Sequence, residues 1–158
     1  MENLVWATML WVLVLLLVPL ERIKQLWPVA VITMLWFFSV NYFFINWGYY
    51  RFTHIIISFL GVPLIQNLGG AAGGILLMNW MRPSPLIKIF IVVLAAAFFN
   101  LSEYVFRLFG AFVYGNGFNP LLSFILHLAM ISILVWLCLA VVGEEKIYNS
   151  QRKTRFIR

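Results

Sequence analysis

The residues of this chain that could do chemistry are a few polar side chains inside long apolar segments. Glu103 and Arg107 stand four residues apart in one such segment, and His127 stands in the next. Residues four apart share one face of a helix, so Glu103 and Arg107 are predicted to pair. A charge inside a membrane usually faces the bundle interior or a water-filled cavity. The pattern therefore indicates a polar pocket with groups that can bind a ligand or carry a proton.

Further polar residues are predicted to lie in the same half of the membrane. Counted from the loop around Gly117, Glu103 lies about 20 Å along its helix and His127 about 15 Å along the next one. This shared depth favours a pocket or vestibule open to the outside. In the alternative interpretation, Glu103 and Arg107 neutralise each other and His127 joins helices through hydrogen bonds. A partner-binding role is a third interpretation. The other candidates for the pocket are Asn100, Ser123, Asn41 and His54.

A run of small residues marks the middle of the chain. Small residues four apart let two membrane helices approach closely, within one chain or between two copies. The alternative is an unwound segment that presents carbonyl groups to a ligand, beside Gln66 and Asn67. The residues assigned to helix packing are Gly69, Gly70, Gly73 and Gly74.

The motifs of soluble enzymes are missing from the sequence. It contains no aspartate, no phosphate-binding loop, no GxSxG elbow and no HExxH pair. The single cysteine, Cys138, cannot form an internal disulfide. We therefore assign no catalytic residue, no metal and no cofactor, and the pattern favours a protein that is not an enzyme.

The composition indicates that lipid is the solvent of this protein. Of its 158 residues 64% are hydrophobic and only 10% are charged, with a mean hydropathy of +0.98. A soluble domain of this size would need a more polar surface. The net charge of +6 comes from residues at the ends of the apolar segments. Anionic lipid headgroups explain these cations better than nucleic acid does.

Apolar segments of this length predict an all-α bundle of five transmembrane helices in one domain. A polar hinge, 21–27, is predicted between the first two, with Pro28 in the first turn of the second helix. The third is longer than a perpendicular span requires and contains Gly61 and Pro63, which predicts a tilted or kinked helix. A broken helix, or a short outer helix before the span, is the alternative. The predicted spans are 3–20, 28–45, 53–80, 86–112 and 119–142, followed by a basic tail, 143–158.

The distribution of lysine and arginine predicts the orientation. Five spans place the two termini on opposite faces, and only Arg51 falls on the face opposite the tail, while Arg107 lies within a span. Because cytoplasmic loops carry the excess of cations, we expect the N-terminus outside and the tail in the cytoplasm. The cations that share the tail's face are Arg22, Lys24, Arg82, Lys88, Lys146, Arg152, Lys153, Arg155 and Arg158.

A pattern in the last two spans resembles a known family. Glu103 precedes Gly110, the loop Tyr-Gly-Asn-Gly-Phe-Asn at 114–119 and Ser123. This pattern is similar to that of small four- to five-span membrane proteins of unknown function from Gram-positive, spore-forming bacteria. Pro63 and Pro83 also stand where those proteins have prolines, although Phe118 replaces the tryptophan expected there. The resemblance covers roughly residues 26–142 and implies an integral protein of the cell envelope without assigning an activity.

These observations predict a multi-pass protein of the cell membrane, the bacterial cytoplasmic membrane. The leading functional hypothesis is a small transport or channel-like component, or an accessory subunit, with an outward-facing polar pocket. The alternatives are an intramembrane enzyme for a lipid or isoprenoid carrier, with His127 or Glu103 as general acid or base, and a purely structural subunit. Membrane lipids are the expected partners, nucleic acid is not, and a homo-oligomer or a larger membrane complex stays open.

Overall fold

The computed structural model describes residues 1–148 and shows a mostly helical protein. Two pairs of short antiparallel strands connect some of the helices. The helices are α1 (Glu2–Leu17), α2 (Leu20–Asn46), α3 (Leu64–Trp80), α4 (Pro85–Leu108), α5 (Pro120–Val142) and α6 (Glu144–Tyr148). The strands are β1 (Tyr50–Phe52), β2 (Ser58–Phe59), β3 (Val62–Pro63) and β4 (Phe112–Tyr114). The predicted tail cations Arg152, Lys153, Arg155 and Arg158 lie outside the described residues.

The polar segment 21–27 is helical, which corrects the predicted hinge. The turn between α1 and α2 is confined to Val18 and Pro19, so Pro28 lies inside α2 and not in its first turn. The residues of this segment, Glu-Arg-Ile-Lys-Gln-Leu-Trp, include strong helix formers. They are also amphipathic in the helix, because Arg22 and Leu26 are buried while their neighbours face outward. Helix propensity therefore extends α2 through residues 21–27, which hydropathy alone places outside the predicted span 28–45.

The segment 53–63 is not helical, which corrects both predictions for the third span. Leu60 and Gly61 have φ values of 51° and 81° and form the two-residue turn between β2 and β3. Positive φ at both turn residues matches the twist of a tight hairpin. The run Ile55-Ile56-Ile57 is β-branched and thus disfavours helix. The helix starts only after Pro63, so Gln66 and Asn67 lie in its first turn and not near its middle.

A second pair of strands shortens the predicted fourth span. The helix α4 ends at Leu108, Gly110 has a φ of 68°, and β4 then pairs with β1 in the register Tyr50 with Tyr114 and Phe52 with Phe112. We call the pair β1–β4 the aromatic ribbon. Pairing with a strand about 60 residues earlier in the chain ends the helix here, although the segment is apolar enough to continue it.

Helix α3 is the central element of the bundle. Most of its residues are buried, and it packs against α1 and α2, while α5 packs against α2 and α4. Gly69 faces Trp6 of α1, and Gly70 faces Phe37 of α2. Gly74 faces Thr33, also of α2. The glycines therefore lie where the neighbouring helices come closest.

The two ends of the bundle differ in chemistry. The ribbon end contains the aromatic ribbon and the hairpin β2–β3; there, Glu2 Oε1 lies 3.2 Å from His54 Nδ1. The basic end contains the turn between α1 and α2, the turn between α3 and α4, and α6. Here the buried guanidinium of Arg22 donates to the backbone carbonyls of Lys146 and Ile147. This contact joins the start of α2 to α6.

Three helices, α2, α4 and α5, are long and apolar enough to cross a membrane. Within the apolar window of α4 only 6% of residues are buried inside the protein. The exposed side chains of this helix include Phe90, Leu94 and Leu101. A soluble protein rarely exposes a contiguous apolar surface of this extent. The all-α class and a membrane location therefore fit the structure.

Candidate functional site

Glu103 lies between α4, α5 and the aromatic ribbon. Its Oε2 accepts a hydrogen bond of 2.9 Å from the hydroxyl of Tyr114 in β4. The hydroxyl of Ser123, near the start of α5, donates to the same oxygen. The other oxygen, Oε1, lies 3.5 Å from His127 Nε2. The carboxylate is thus held by side chains of two other elements, which lie beyond α4 in the chain.

Glu103 and His127 lie nearer the ribbon ends of their helices than the sequence predicted. Glu103 precedes the end of α4 by five residues, which is about 8 Å at the rise of an α-helix. His127 is seven residues into α5, which is about 10 Å. The predicted values of about 20 and 15 Å were counted from Gly117, whereas α4 ends at Leu108 and α5 begins at Pro120, so both distances along the helices are shorter. Both residues now lie at nearly equal depth from the ribbon end.

Arg107 does not pair with Glu103. Its guanidinium carbon lies 4.8 Å from the centre of the Tyr114 ring, a cation–π geometry, and its side chain is exposed. No ion pair joins the two residues in the part of the chain that the structure describes. Arg107 is in the last turn of α4, where the helix leaves the bundle. A cation–π contact with Tyr114 therefore stands where the sequence predicted an ion pair.

His127 is a buried imidazole with one unused nitrogen. Its ring stacks on Phe99 at 5.4 Å between centroids, with 29° between the planes. The residue is 7% exposed, and Nδ1 has no hydrogen-bond partner among residues 1–148. A buried polar atom without a partner costs about 1–3 kcal/mol. The site therefore holds an imidazole whose free nitrogen is open to a further interaction.

A cavity of about 50 Å³ adjoins these residues. A water needs roughly 10–15 Å³, so the space has room for about three to five waters. Two amide oxygens from its lining, Gln66 Oε1 and Asn67 Oδ1, are buried and lack a partner in the described chain. The other polar residues that line it are Asn41, Tyr50, Ser102, Glu103 and His127. The arrangement is a small polar chamber inside an apolar bundle.

The aromatic ribbon lines the chamber at the ribbon end. Tyr50, Phe52 and Phe112 all contribute to the lining, and the Tyr50 hydroxyl donates to Asn41 Oδ1 at 2.8 Å. Burial raises the pKa of Tyr50, and the charge of Glu103 adds to the shift. Burial first, and then Glu103, raise the pKa of Tyr114 to about 12. Both tyrosines are therefore neutral hydrogen-bond donors at physiological pH.

The predicted pocket residues divide into two groups. Glu103, His127 and Asn41 line the chamber, and Ser123 adjoins it through its hydrogen bond to Glu103. Asn100 donates to the carbonyl of Pro120 and lines, with Arg107, a groove on the surface of α4 and α5. His54 lies at the ribbon end against Glu2. Three of the seven candidates thus lie outside the chamber.

Several residues that line the chamber were not identified from the sequence. Gln66 and Asn67 were noted only as neighbours of the glycines, and Tyr50 was not assigned to the pocket. Tyr114, which binds Glu103 without lining the chamber, was placed in a loop. Their role depends on the early end of α4 and the late start of α3, which no local pattern shows. The usable signal was the pair of adjacent amides that begins three residues after Pro63 in an otherwise apolar segment. Within residues 1–148 there is no group of three or more His, Cys, Asp or Glu that could hold a metal ion.

Comparison of the chain with protein-family models, with curated proteins and with solved structures gives no significant match. The resemblance to membrane proteins of spore-forming bacteria therefore stays a prediction.

Proposed function

We propose that this chain is a multi-pass protein of the bacterial cytoplasmic membrane in which α1 to α5 all lie in the bilayer. Helices α1 and α3 have 16 and 17 residues, about 24 and 26 Å, which is short for a span of about 30 Å. Local thinning of the bilayer accommodates such helices at modest cost. Helix α3 is also surrounded by its neighbours and needs little contact with lipid.

The proposed orientation places the ribbon end outside and the basic end in the cytoplasm. Arg22, Lys24, Arg82 and Lys88 all belong to the basic end, together with Lys146 of α6. The ribbon end has Arg51 and Arg107. This asymmetry supports the orientation through the excess of cations in cytoplasmic loops.

Within this membrane protein, the chamber supports the function of a small transport or channel-like component. The observation that carries the proposal is the presence of buried polar atoms without partners around Glu103 and His127. A purely structural subunit has no use for such atoms, because each one lowers stability. Polar residues facing a cavity inside a membrane are typical of ion and proton pathways.

The volume of the chamber argues against the enzyme alternative. A space of about 50 Å³ takes neither a lipid headgroup nor an isoprenoid phosphate. Glu103 and His127 line this space, so they do not meet such a substrate in this conformation. Ligands of the size of water or of a small ion fit the space.

Flux through reconstituted protein tests the proposal. The full chain is reconstituted in liposomes, and uptake of protons and of small monovalent cations is followed with fluorescent indicators. We expect flux above that of empty liposomes, and we expect Glu103→Gln to reduce it to the empty-liposome level. The control is Glu2→Gln, which removes a carboxylate that also faces a histidine but lies outside the chamber. Wild-type flux equal to that of empty liposomes contradicts the proposal.

A further inference from the structure

The unused polar atoms of the chamber are mainly acceptors. Asn67 is 4% exposed, and its Nδ2 donates to the backbone carbonyl of Met34 at 3.0 Å. This bond fixes the amide so that Oδ1 is the atom left without a partner. Gln66 contributes a second buried amide oxygen from the preceding position of α3. Two neighbouring acceptors thus require a ligand that donates hydrogen bonds or carries positive charge.

The carboxylate of Glu103 supplies a third acceptor. Both hydroxyl donors, from Tyr114 and Ser123, bind Oε2. The remaining oxygen, Oε1, is 3.5 Å from His127 Nε2, which is longer than an ordinary N–H···O hydrogen bond. No lysine or arginine is among the residues that line the chamber. The lining therefore contains one acidic side chain and no lysine or arginine.

The rest of the lining is aromatic, and this selects among cations. Aromatic rings attract cations that shed their water readily, such as ammonium groups. Divalent ions need six or more oxygen ligands, or several retained waters, which three side-chain oxygens in a small space do not provide. The aromatic residues that line the chamber are Trp6, Phe37, Tyr50, Phe52, Phe99, Phe106 and Phe112.

We propose that the chamber binds one small, weakly hydrated monovalent cation of the ammonium or potassium type. The carboxylate of Glu103 balances its charge, and the amide oxygens of Asn67 and Gln66 take part in its coordination. The volume of about 50 Å³ admits one such ion with one or two waters. This inference rests on the proposed transport function, because it names the substrate class of the same chamber.

Thermal unfolding of the purified full chain in detergent tests the cation site. Ammonium chloride or potassium chloride replaces choline chloride at constant ionic strength, and unfolding is followed by tryptophan fluorescence. We expect a saturable rise in Tm with ammonium and potassium, and no saturable rise with calcium chloride. A Tm that is the same in all these salts overturns the proposal, as does saturation by calcium alone.

Two variants tie the effect to the chamber. Gln66→Met keeps the size of the side chain and removes one acceptor, so the half-saturating ammonium concentration should rise about tenfold. Glu103→Gln should abolish the salt-dependent rise, whereas Glu2→Gln should retain it. If Glu103→Gln does not fold, Gln66→Met alone decides. Half-saturation in Gln66→Met equal to that of the wild type contradicts the site.

The two proposals fail in different ways. Proton flux without any cation-dependent rise in Tm overturns the cation site and leaves the transport function in place. A saturable rise in Tm without flux supports the cation site and overturns the transport function. If both signals are absent, both proposals are wrong.

Discussion

At the scale of single residues, the central feature is a carboxylate held by donors from two other elements. Hydrogen bonds to a charged group contribute about 1.5–3 kcal/mol each, which is more than neutral pairs contribute. Glu103 receives such bonds from Tyr114 and Ser123 and lies beside His127. Among the described residues Arg107 makes no hydrogen bond or ion pair with it and contacts the Tyr114 ring instead. Stability should therefore depend on the hydroxyls far more than on the guanidinium.

A pair of double-mutant cycles measures this difference. Ser123→Ala removes a donor to a partly buried carboxylate and should cost about 1.5–3 kcal/mol of unfolding free energy. Arg107→Gln changes an exposed side chain and should stay within about 0.5 kcal/mol. Combined with Glu103→Gln, the first change should show clear coupling and the second almost none, by chemical unfolding in detergent. Coupling to Arg107 as strong as to Ser123 contradicts the geometry described above.

The sequence could identify Glu103, Ser123 and His127 as members of one site but could not find all their partners. An apolar chain makes buried polar residues conspicuous, so their types alone single them out. The Arg107 pairing was wrong because sharing a helix face does not bring two side chains together when one stands in the exposed last turn. Tyr114 was missed because its contact depends on strand pairing between segments about 60 residues apart.

At the scale of elements, the glycines of α3 set how closely α1 and α2 approach. A Cβ at Gly69 would lie 2.6 Å from the Trp6 ring, and one at Gly74 would overlap Thr33. At Gly73 the nearest such atom is Leu10 Cδ1 at 4.0 Å, which is an ordinary contact. Glycines four apart are thus not equivalent, and only some of them are required by packing.

Alanine substitutions should separate these positions. Gly74→Ala forces a shift in the buried Thr33 side chain and should destabilise the protein by about 1–3 kcal/mol. Gly73→Ala has room for its methyl group and should stabilise it by up to about 1 kcal/mol, through higher helix propensity. Thermal unfolding of both variants in the same detergent measures the difference. Equal effects at the two positions would show that α2 does not pack against Gly74.

Helix boundaries were predictable where local signals agree with hydropathy. The helix α5 begins at Pro120, behind the Asn119 cap, within one residue of the predicted start. The segment 53–63 was misassigned because a short apolar run is compatible with either a strand or a helix. The segment 21–27 was misassigned as a hinge because it is polar, although its residues have a strong helix propensity. Hydropathy indicates which segments are apolar, whereas helix propensity and strand pairing decide the backbone conformation.

At the scale of the whole molecule, charge and apolar surface are arranged along one axis. Apolar side chains cover the outside of α4 and much of α2 and α5, whereas the described cations concentrate at one end. This arrangement is typical of a protein that crosses the membrane with a fixed orientation. The chamber lies near the ribbon end, opposite the end where the cations concentrate.

Cysteine labelling with a membrane-impermeant reagent tests the orientation. Ile56→Cys marks the ribbon end and Glu21→Cys marks the basic end, and both positions are exposed. The native Cys138 is fully buried and serves as the unlabelled control. In intact cells we expect labelling at position 56 only, and in permeabilised cells at both positions. Labelling of position 21 alone in intact cells would show the reverse orientation.

The contact between Arg22 and α6 also sets an order of events during synthesis. Arg22 is buried, and it donates to the carbonyl of Lys146, which is 124 residues later in the chain. Until α6 has been made, this guanidinium has neither that acceptor nor the one at Ile147. Without them the guanidinium keeps only the side chain of Gln25 as an acceptor, and burying a cation with so few acceptors is unfavourable. Burial of this guanidinium at the start of α2 therefore has to wait for α6, the helix that supplies its two backbone acceptors.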